Sequence, residues 1–152
     1  GAAKCQLALE HGAAHAIDYT KENFVERVKQ ITGGKGVKVV YDSIGKDTFQ
    51  GSLDCLRPMG LMVTFGNASG PVPPVDTLEL SRRGSLFLTR PTLFTYIAKR
   101  QDLLDISADL FDVVVAGKVK VEVNQTYPLK DAARAQEDLA ARRTTGSTVL
   151  LP

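Results

Sequence analysis

Four groups of small, polar or glycine residues stand where runs of apolar residues end: Asp18-Tyr19, Asp42-Ser43-Ile44-Gly45, Phe65-Gly66-Asn67 and Arg90. Glycine and serine allow a ligand to approach the backbone closely, and an asparagine amide both donates and accepts hydrogen bonds. The chemistry these types support is ligand binding. No side chain in the sequence stands out as a proton donor, so no catalytic residue is assigned. Other constellations carry less. His11 and His15 are four apart, but Gly12 interrupts the helix that would put both on one face, so no metal site is expected. Asp102, Asp105, Asp109 and Asp112 read as the solvated face of a helix rather than as paired acids with perturbed pKa values. Gly33-Gly34-Lys35-Gly36 precedes a strand, whereas a phosphate loop precedes a helix. Arg82, Arg83, Lys99 and Arg100 lie near Phe94 and Tyr96, yet 19 basic against 17 acidic residues leave a net charge of only +2. No nucleic-acid partner is expected from so balanced a chain.

The elements that must position these residues fit into 152 residues, the length of one ordinary domain. No apolar run approaches the ~20 residues that span a bilayer, so no membrane partner is expected. Gly1-Ala2-Ala3-Lys4 lacks the apolar stretch of a secretory signal. Cys5 and Cys55 are too few for a disulfide framework. A cytoplasmic location is expected. Lys4 to His11 reads as a helix closed by Gly12, Ala14 to Asp18 as a short strand, and Thr20 as the cap of a helix carrying Phe24, Val25, Val28 and Ile31. Gly33 and Gly34 stop that helix. Val37 to Tyr41 is a buried-type strand, and Phe49, Leu53 and Leu56 mark the inner face of a helix ending before Pro58. Strands follow at Leu61 to Phe65, Leu86 to Thr89 and Val119 to Val123, with a Pro-rich loop from Gly66 to about Val75. A helix with Leu103, Ile106, Leu110, Phe111 and Val114 stops at Gly117. A last helix spans Leu129 to Ala140, and Val149 to Leu151 closes the chain as a strand. This alternation predicts an α/β fold with a mostly parallel sheet, in which ligands bind at the carboxyl ends of the strands.

Several ordered motifs then carry a family resemblance: Tyr41-Asp42-Ser43-Ile44-Gly45, Leu61 through Gly70, Gly84 through Pro91, Tyr127 through Ala132, and Arg142 through Ser147. Together they cover nearly the whole chain, which resembles the later part of zeta-crystallin-type quinone oxidoreductases. These are zinc-independent members of the medium-chain dehydrogenase/reductase superfamily. The resemblance implies an incomplete Rossmann-like, doubly wound parallel sheet. The family's chaperonin-10-like catalytic domain, its central strands 1 and 2 and its glycine-rich phosphate loop have no counterpart in these residues. In the sheet order 3-2-1-4-5-6, the strands at Ala14, Val37, Leu61 and Leu86 correspond to strands 3, 4, 5 and 6. Strand 3 is then left without its neighbour and strand 4 with an unpaired apolar edge, so the chain alone is expected to re-pair, to swap, or to leave its first ~20 residues poorly ordered. Residues 1–118 are expected to form a partial dinucleotide-binding domain. Residues 119–152 are expected to form a strand-helix-strand that in the family packs back on the catalytic domain.

The resemblance also implies roles residue by residue, with NADPH as cofactor. Lys4 corresponds to the family lysine that reaches the adenosine 2′-phosphate, and Tyr19 to the tyrosine lining the adenosine end. Ser43 corresponds to a cofactor contact at the end of strand 4, where a plain strand-end turn would also accommodate a serine. Phe65, Gly66, Asn67 and Ala68 correspond to the segment cradling the nicotinamide side. Arg90 and Arg142 correspond to cofactor-side arginines, a residue type suited to phosphate. The implied activity is hydride transfer from NADPH to a quinone, although this chain by itself is expected to be inactive. Two other readings stay open: an enoyl or alkenal reductase of the same superfamily, and a non-catalytic dimerisation or binding fragment. Family members often form homodimers through the edge strand corresponding to Leu86 to Thr89. Phe87, Leu88, Leu93 and Phe94 fit such an interface and equally an ordinary buried strand.

Overall fold

Valine at positions 37, 39 and 40 favours an extended chain, because a branched Cβ packs well on a pleated surface. In the computed structural model, which describes residues 1–152, these residues form β1 (Val37–Asp42). It pairs in parallel with β2 (Leu56–Thr64), and β2 pairs in parallel with β3 (Phe87–Thr89), giving the order β1-β2-β3. The register sets Asp42 beside Thr64 and Val63 beside Thr89, so the three strands end at one level. Residues 43, 65 and 90 therefore emerge along a single edge of the sheet. Helix α1 (Ala2–Glu10) and helix α2 (Phe24–Ile31) precede β1, α3 (Phe49–Asp54) joins β1 to β2, and α4 (Leu78–Arg82) joins β2 to β3.

The core of this first unit, residues 1–95, is built from Phe49 and Leu53 of α3, Leu56 and Met62 of β2, and Leu86. Val37, Val40, Val72, Val75 and Leu80 pack around them. Fully burying a side chain of this size contributes about 1.5–3 kcal/mol, so the sheet and α3 are held chiefly by apolar contact. Helix α2 lies tightly on α3: a Cβ at Gly51 would meet the Phe24 ring at 2.5 Å. An ionic strap links α3 to α4, with Arg83 bonded to Asp54 at 2.7 Å, to Gln50 at 3.0 Å and to Glu79. Arg83 is held above its ordinary pKa by Asp54 first and Glu79 after it, and Glu79 is held below its own by Arg83 and Arg82.

Residues 96–152 form a second unit. Helix α5 (Leu93–Tyr96) crosses into it, followed by α6 (Arg100–Val115), β4 (Val123–Pro128), a 3₁₀ turn at Leu129–Asp131, α7 (Ala132–Ala140) and β5 (Ser147–Leu151). Strands β4 and β5 pair in parallel as a two-stranded sheet. Tyr127 of β4 donates its hydroxyl proton to Asp138 of α7 at 2.8 Å, and that bond raises the tyrosine pKa above its usual value. Strand β4, α7 and β5 follow one another as strand, helix and strand. The packing boundary after residue 95 is a separate matter from the functional division expected at 118/119.

The structure differs from the sequence expectations at several elements. Ala14 to Asp18 is not a strand, because β1 pairs with β2 alone and no strand lies alongside this segment. Thr20 does not cap α2. Asn23 does, its Oδ1 accepting from the Val25 and Glu26 N–H groups, while the Thr20 hydroxyl donates to Asp18 at 2.6 Å. Leu56 already belongs to β2, which begins five residues before Leu61. There the pairing register shifts between Val37 and Val39, and Met59 takes a left-handed φ of 57° while its N–H bonds the Gly84 carbonyl at 2.8 Å. Strand β4 starts at Val123, where the Val119 to Val123 strand was expected to end.

Candidate functional site

Asp42 is the last residue of β1 and is 4% exposed. Its Oδ1 accepts hydrogen bonds from the Ile44 N–H at 2.8 Å and the Gly45 N–H at 3.0 Å. Its Oδ2 accepts from the Thr48 and Ser52 hydroxyls, both at 2.8 Å. Burial pushes this carboxyl upward, but the hydrogen bonds from Gly45, Ser52, Thr48 and Ile44 outweigh it and hold the group below the ordinary carboxylate value. The result is a fixed turn at Ser43-Ile44-Gly45, anchored to α3.

A second loop, residues 65–70, is laid against that turn. The Asp42 carbonyl accepts the Phe65 N–H at 2.9 Å, the Ser43 carbonyl accepts the Ala68 N–H at 3.2 Å, and the Ile44 carbonyl accepts the Ser69 N–H at 2.8 Å. The Ser69 hydroxyl donates to the Ile44 carbonyl at 2.9 Å and accepts from the Asp47 N–H at 3.0 Å. Gly66 packs on Ser43 so closely that a Cβ would stand 2.2 Å from the Ser43 carbonyl oxygen. Arg90, just past β3, closes the other side: its Nη1 donates to the Gly66 carbonyl at 3.2 Å and to the Thr64 hydroxyl at 3.3 Å. Phe65, Asn67 and Ala68 remain exposed on the loop.

Beside the first turn lies an open cleft of about 220 Å³, lined by Ile17, Tyr19, Phe24, Tyr41, Asp42, Ser43, Ile44, Thr48 and Ser52. Three aromatic rings and two aliphatic side chains give it a largely apolar wall, and Ser43 adds a hydroxyl at its edge. Such a lining accepts a flat apolar body with few polar groups. Asp18, adjacent to Tyr19, is held below its ordinary pKa chiefly by the Thr20 hydroxyl.

Of the residues singled out from the sequence, Tyr19 and Ser43 share this cleft, and Ser43, Phe65, Gly66, Asn67, Ala68 and Arg90 share the paired loops. Lys4 stands exposed on α1 and does not line the cleft. Arg142 lies in the second unit, directly after α7, with a left-handed φ of 58°. The sequence did not single out Thr48, Ser52 and Ser69 as parts of the site. The available signal was an aspartate at a strand end followed by hydroxyl residues six and ten positions later, which one helix brings back to it. No group of three or more His, Cys, Asp or Glu side chains is placed so that it could hold a metal ion.

A parallel sheet with polar loops at the carboxyl ends of its strands belongs to the class of α/β nucleotide- and ligand-binding folds. Comparison with known proteins makes this specific. The family model described as "Zinc-binding dehydrogenase" matches residues 11–150, and the chain belongs to that family. It is 55% identical over 153 residues to a quinone oxidoreductase of Salmonella typhimurium, covering 99% of this chain and 47% of the relative. It is 50% identical to a 2-haloacrylate reductase of a Burkholderia species, covering 98% of this chain and 45% of that one. Its structure superposes on the crystal structure of Escherichia coli quinone oxidoreductase complexed with NADPH with a TM-score of 0.94 and 52% identity, over 100% of this chain and 47% of that one. The chain thus spans about half the length of the curated relatives it matches. No helix is long and apolar enough to cross a membrane.

Proposed function

We propose that this chain supplies the later part of the NADPH site of a quinone oxidoreductase. The observation that carries the reading is the pair of interlocked loops at the strand ends, where Gly66 leaves bare backbone against Ser43. The residues fit a dinucleotide: Phe65, Gly66, Asn67 and Ala68 cradle its nicotinamide side, Tyr19 lines its adenosine end, and Ser43 contacts it at the end of β1. Lys4 offers an ammonium to the 2′-phosphate, which favours NADPH over NADH by charge pairing. Arg142 contacts the cofactor, and Arg90 does so with donors left over after it has fixed the Gly66 carbonyl. When bound, the cofactor supplies a hydride for the acceptor, while this chain's residues orient it and keep its backbone contacts rigid. Residues 1–118 form the dinucleotide-binding portion and residues 119–152 pack back on the remainder of the protein, which provides much of the acceptor pocket. By itself the chain is inactive. The protein acts in the cytoplasm as a homodimer, joined at the outer edge of β3, where Phe87 is 57% and Leu88 is 36% exposed.

Titration of the chain with NADPH, followed by cofactor fluorescence with NADH as comparison, tests the cofactor reading. Weak binding or none is expected of this chain, because the phosphate loop at a helix N-terminus is not among these residues, whereas saturable, NADPH-selective binding would mean that the strand-end residues form a site by themselves. Equal binding of the two cofactors by the full-length protein would overturn the role given to Lys4. A second reading, reduction of an electron-poor alkene, is favoured by the similarity to the 2-haloacrylate reductase. Assay of the full-length protein against quinones and enones separates the two.

A further inference from the structure

We propose that Asp42 is the positioning residue of the cofactor cradle: one buried carboxylate sets the shape of both strand-end loops. The cradle's role rests on the NADPH reading above, but the geometry of the loops does not. Asp42 touches three structures at once. Through Oδ1 it fixes the Ile44 and Gly45 amides, through Oδ2 it ties the turn to Thr48 and Ser52, and through its own carbonyl it starts the second loop at the Phe65 N–H. A carboxylate has about four acceptor sites, and here all four are filled. A serine or threonine in its place could not accept from two backbone amides while also taking two hydroxyl protons.

The second loop is shaped by the first. With the Ser43-Gly45 turn fixed, the Ser43 and Ile44 carbonyls point at the Ala68 and Ser69 amides, and the Ser69 hydroxyl bridges Ile44 to Asp47. The loop carrying Phe65, Asn67 and Ala68 is therefore ordered by a residue more than twenty positions earlier that does not belong to it. Misplacing such a cradle by an ångström weakens what it binds, because preorganised donors and acceptors are then aimed at the wrong points.

The test uses the full-length protein with Asp42→Ala, Asp42→Asn and Thr48→Val, read by amide hydrogen exchange, thermal midpoint and NADPH affinity. Asp42→Ala is expected to speed exchange at Ile44, Gly45, Ala68 and Ser69 by about tenfold or more. Val40 and Met62 in the sheet should stay protected, and NADPH affinity should fall by a similar factor. Asp42→Asn keeps an oxygen for the two amides and turns its NH₂ to the hydroxyl oxygens, so it should restore most loop protection and most affinity. Thr48→Val removes one of the two hydroxyl groups from which Asp42 Oδ2 accepts, and decides the matter if Asp42→Ala does not fold. It should speed exchange at Ile44, Gly45, Ala68 and Ser69 by a smaller factor than Asp42→Ala and weaken NADPH binding in the same proportion. Wild-type loop exchange in Asp42→Ala or in Thr48→Val overturns the proposal, and so does a lower midpoint with exchange and affinity unchanged. If the unmodified protein binds no NADPH, the cofactor reading fails while the exchange data still decide the role of Asp42.

Discussion

The methyl group that Gly66 lacks would stand 2.2 Å from the Ser43 carbonyl oxygen, with other backbone atoms of Ser43 at 2.8 Å. Backbone cannot yield there as the end of a flexible side chain can, so alanine at this position must push the two loops apart. Gly66→Ala is expected to cost about 1–3 kcal/mol of stability and to loosen the cradle, checked by urea denaturation alongside NADPH titration. Gly66, Ser43 and Arg90 were legible in the sequence as small or polar residues ending apolar runs. The partners of Asp42 were not, since Thr48 immediately precedes the following helix and Ser52 lies within it. Only the angle at which α3 leaves the strand brings their hydroxyls within 2.8 Å of it. The structure also refines the part played by Arg90. Its Nη1 bonds the Gly66 carbonyl and the Thr64 hydroxyl, so one of its tasks is to hold the loop.

Among the elements, α2 shows how a local signal can be misassigned by three residues. Thr20 and Asn23 are both good cap residues, but Thr20 is engaged by Asp18, and it is Asn23 that receives the Val25 and Glu26 amides. Asn23→Ala should cost about 1 kcal/mol and free the start of the helix, measurable as a shift in the urea midpoint with unchanged slope. Asn23 precedes Phe24, whose ring lies on Gly51 and lines the cleft, so fraying here reaches the site as well. Helix α6 was legible over most of its length from its apolar spacing. That stripe is exposed at Leu110 and Phe111, so periodicity reported the helix without reporting what it packs against.

For the whole molecule, titration and pairing edges matter most. Asp42 and Glu79 are both held below their ordinary values, by hydrogen bonds and ion pairing made only in the folded state. A depressed folded pKa means that the unfolded chain binds the proton more readily. The stability these groups contribute is therefore fully present above the unfolded value, about 4, and is lost as pH falls through the folded values below it. Urea midpoints measured from pH 7 down to pH 2 should fall most steeply below about pH 4, and Asp42→Asn should flatten that fall. Tyr127 acts at the other end. Its folded pKa is raised, so its contribution is complete below the unfolded value and is lost as pH rises through the folded one. The three-stranded sheet keeps both edges unpaired, β1 on one side and β3 on the other. The chain therefore offers two surfaces for strand addition.

The sequence by itself determined the alternation of strands and helices, the parallel sheet and the strand ends where a ligand would be met. Those features follow from side-chain periodicity and from glycine and proline, which act within a few residues of chain. It determined the family as well, because the motifs recur in order from Tyr41 to Ser147. Tertiary structure alone decided that Ala14 to Asp18 is not a strand, since a strand exists only where another lies beside it to share hydrogen bonds. It also decided that Asp42 is a buried, fully bonded anchor, because its carboxylate meets the Ile44 and Gly45 amides of the turn and the Thr48 and Ser52 hydroxyls at once only when α3 is packed on the sheet.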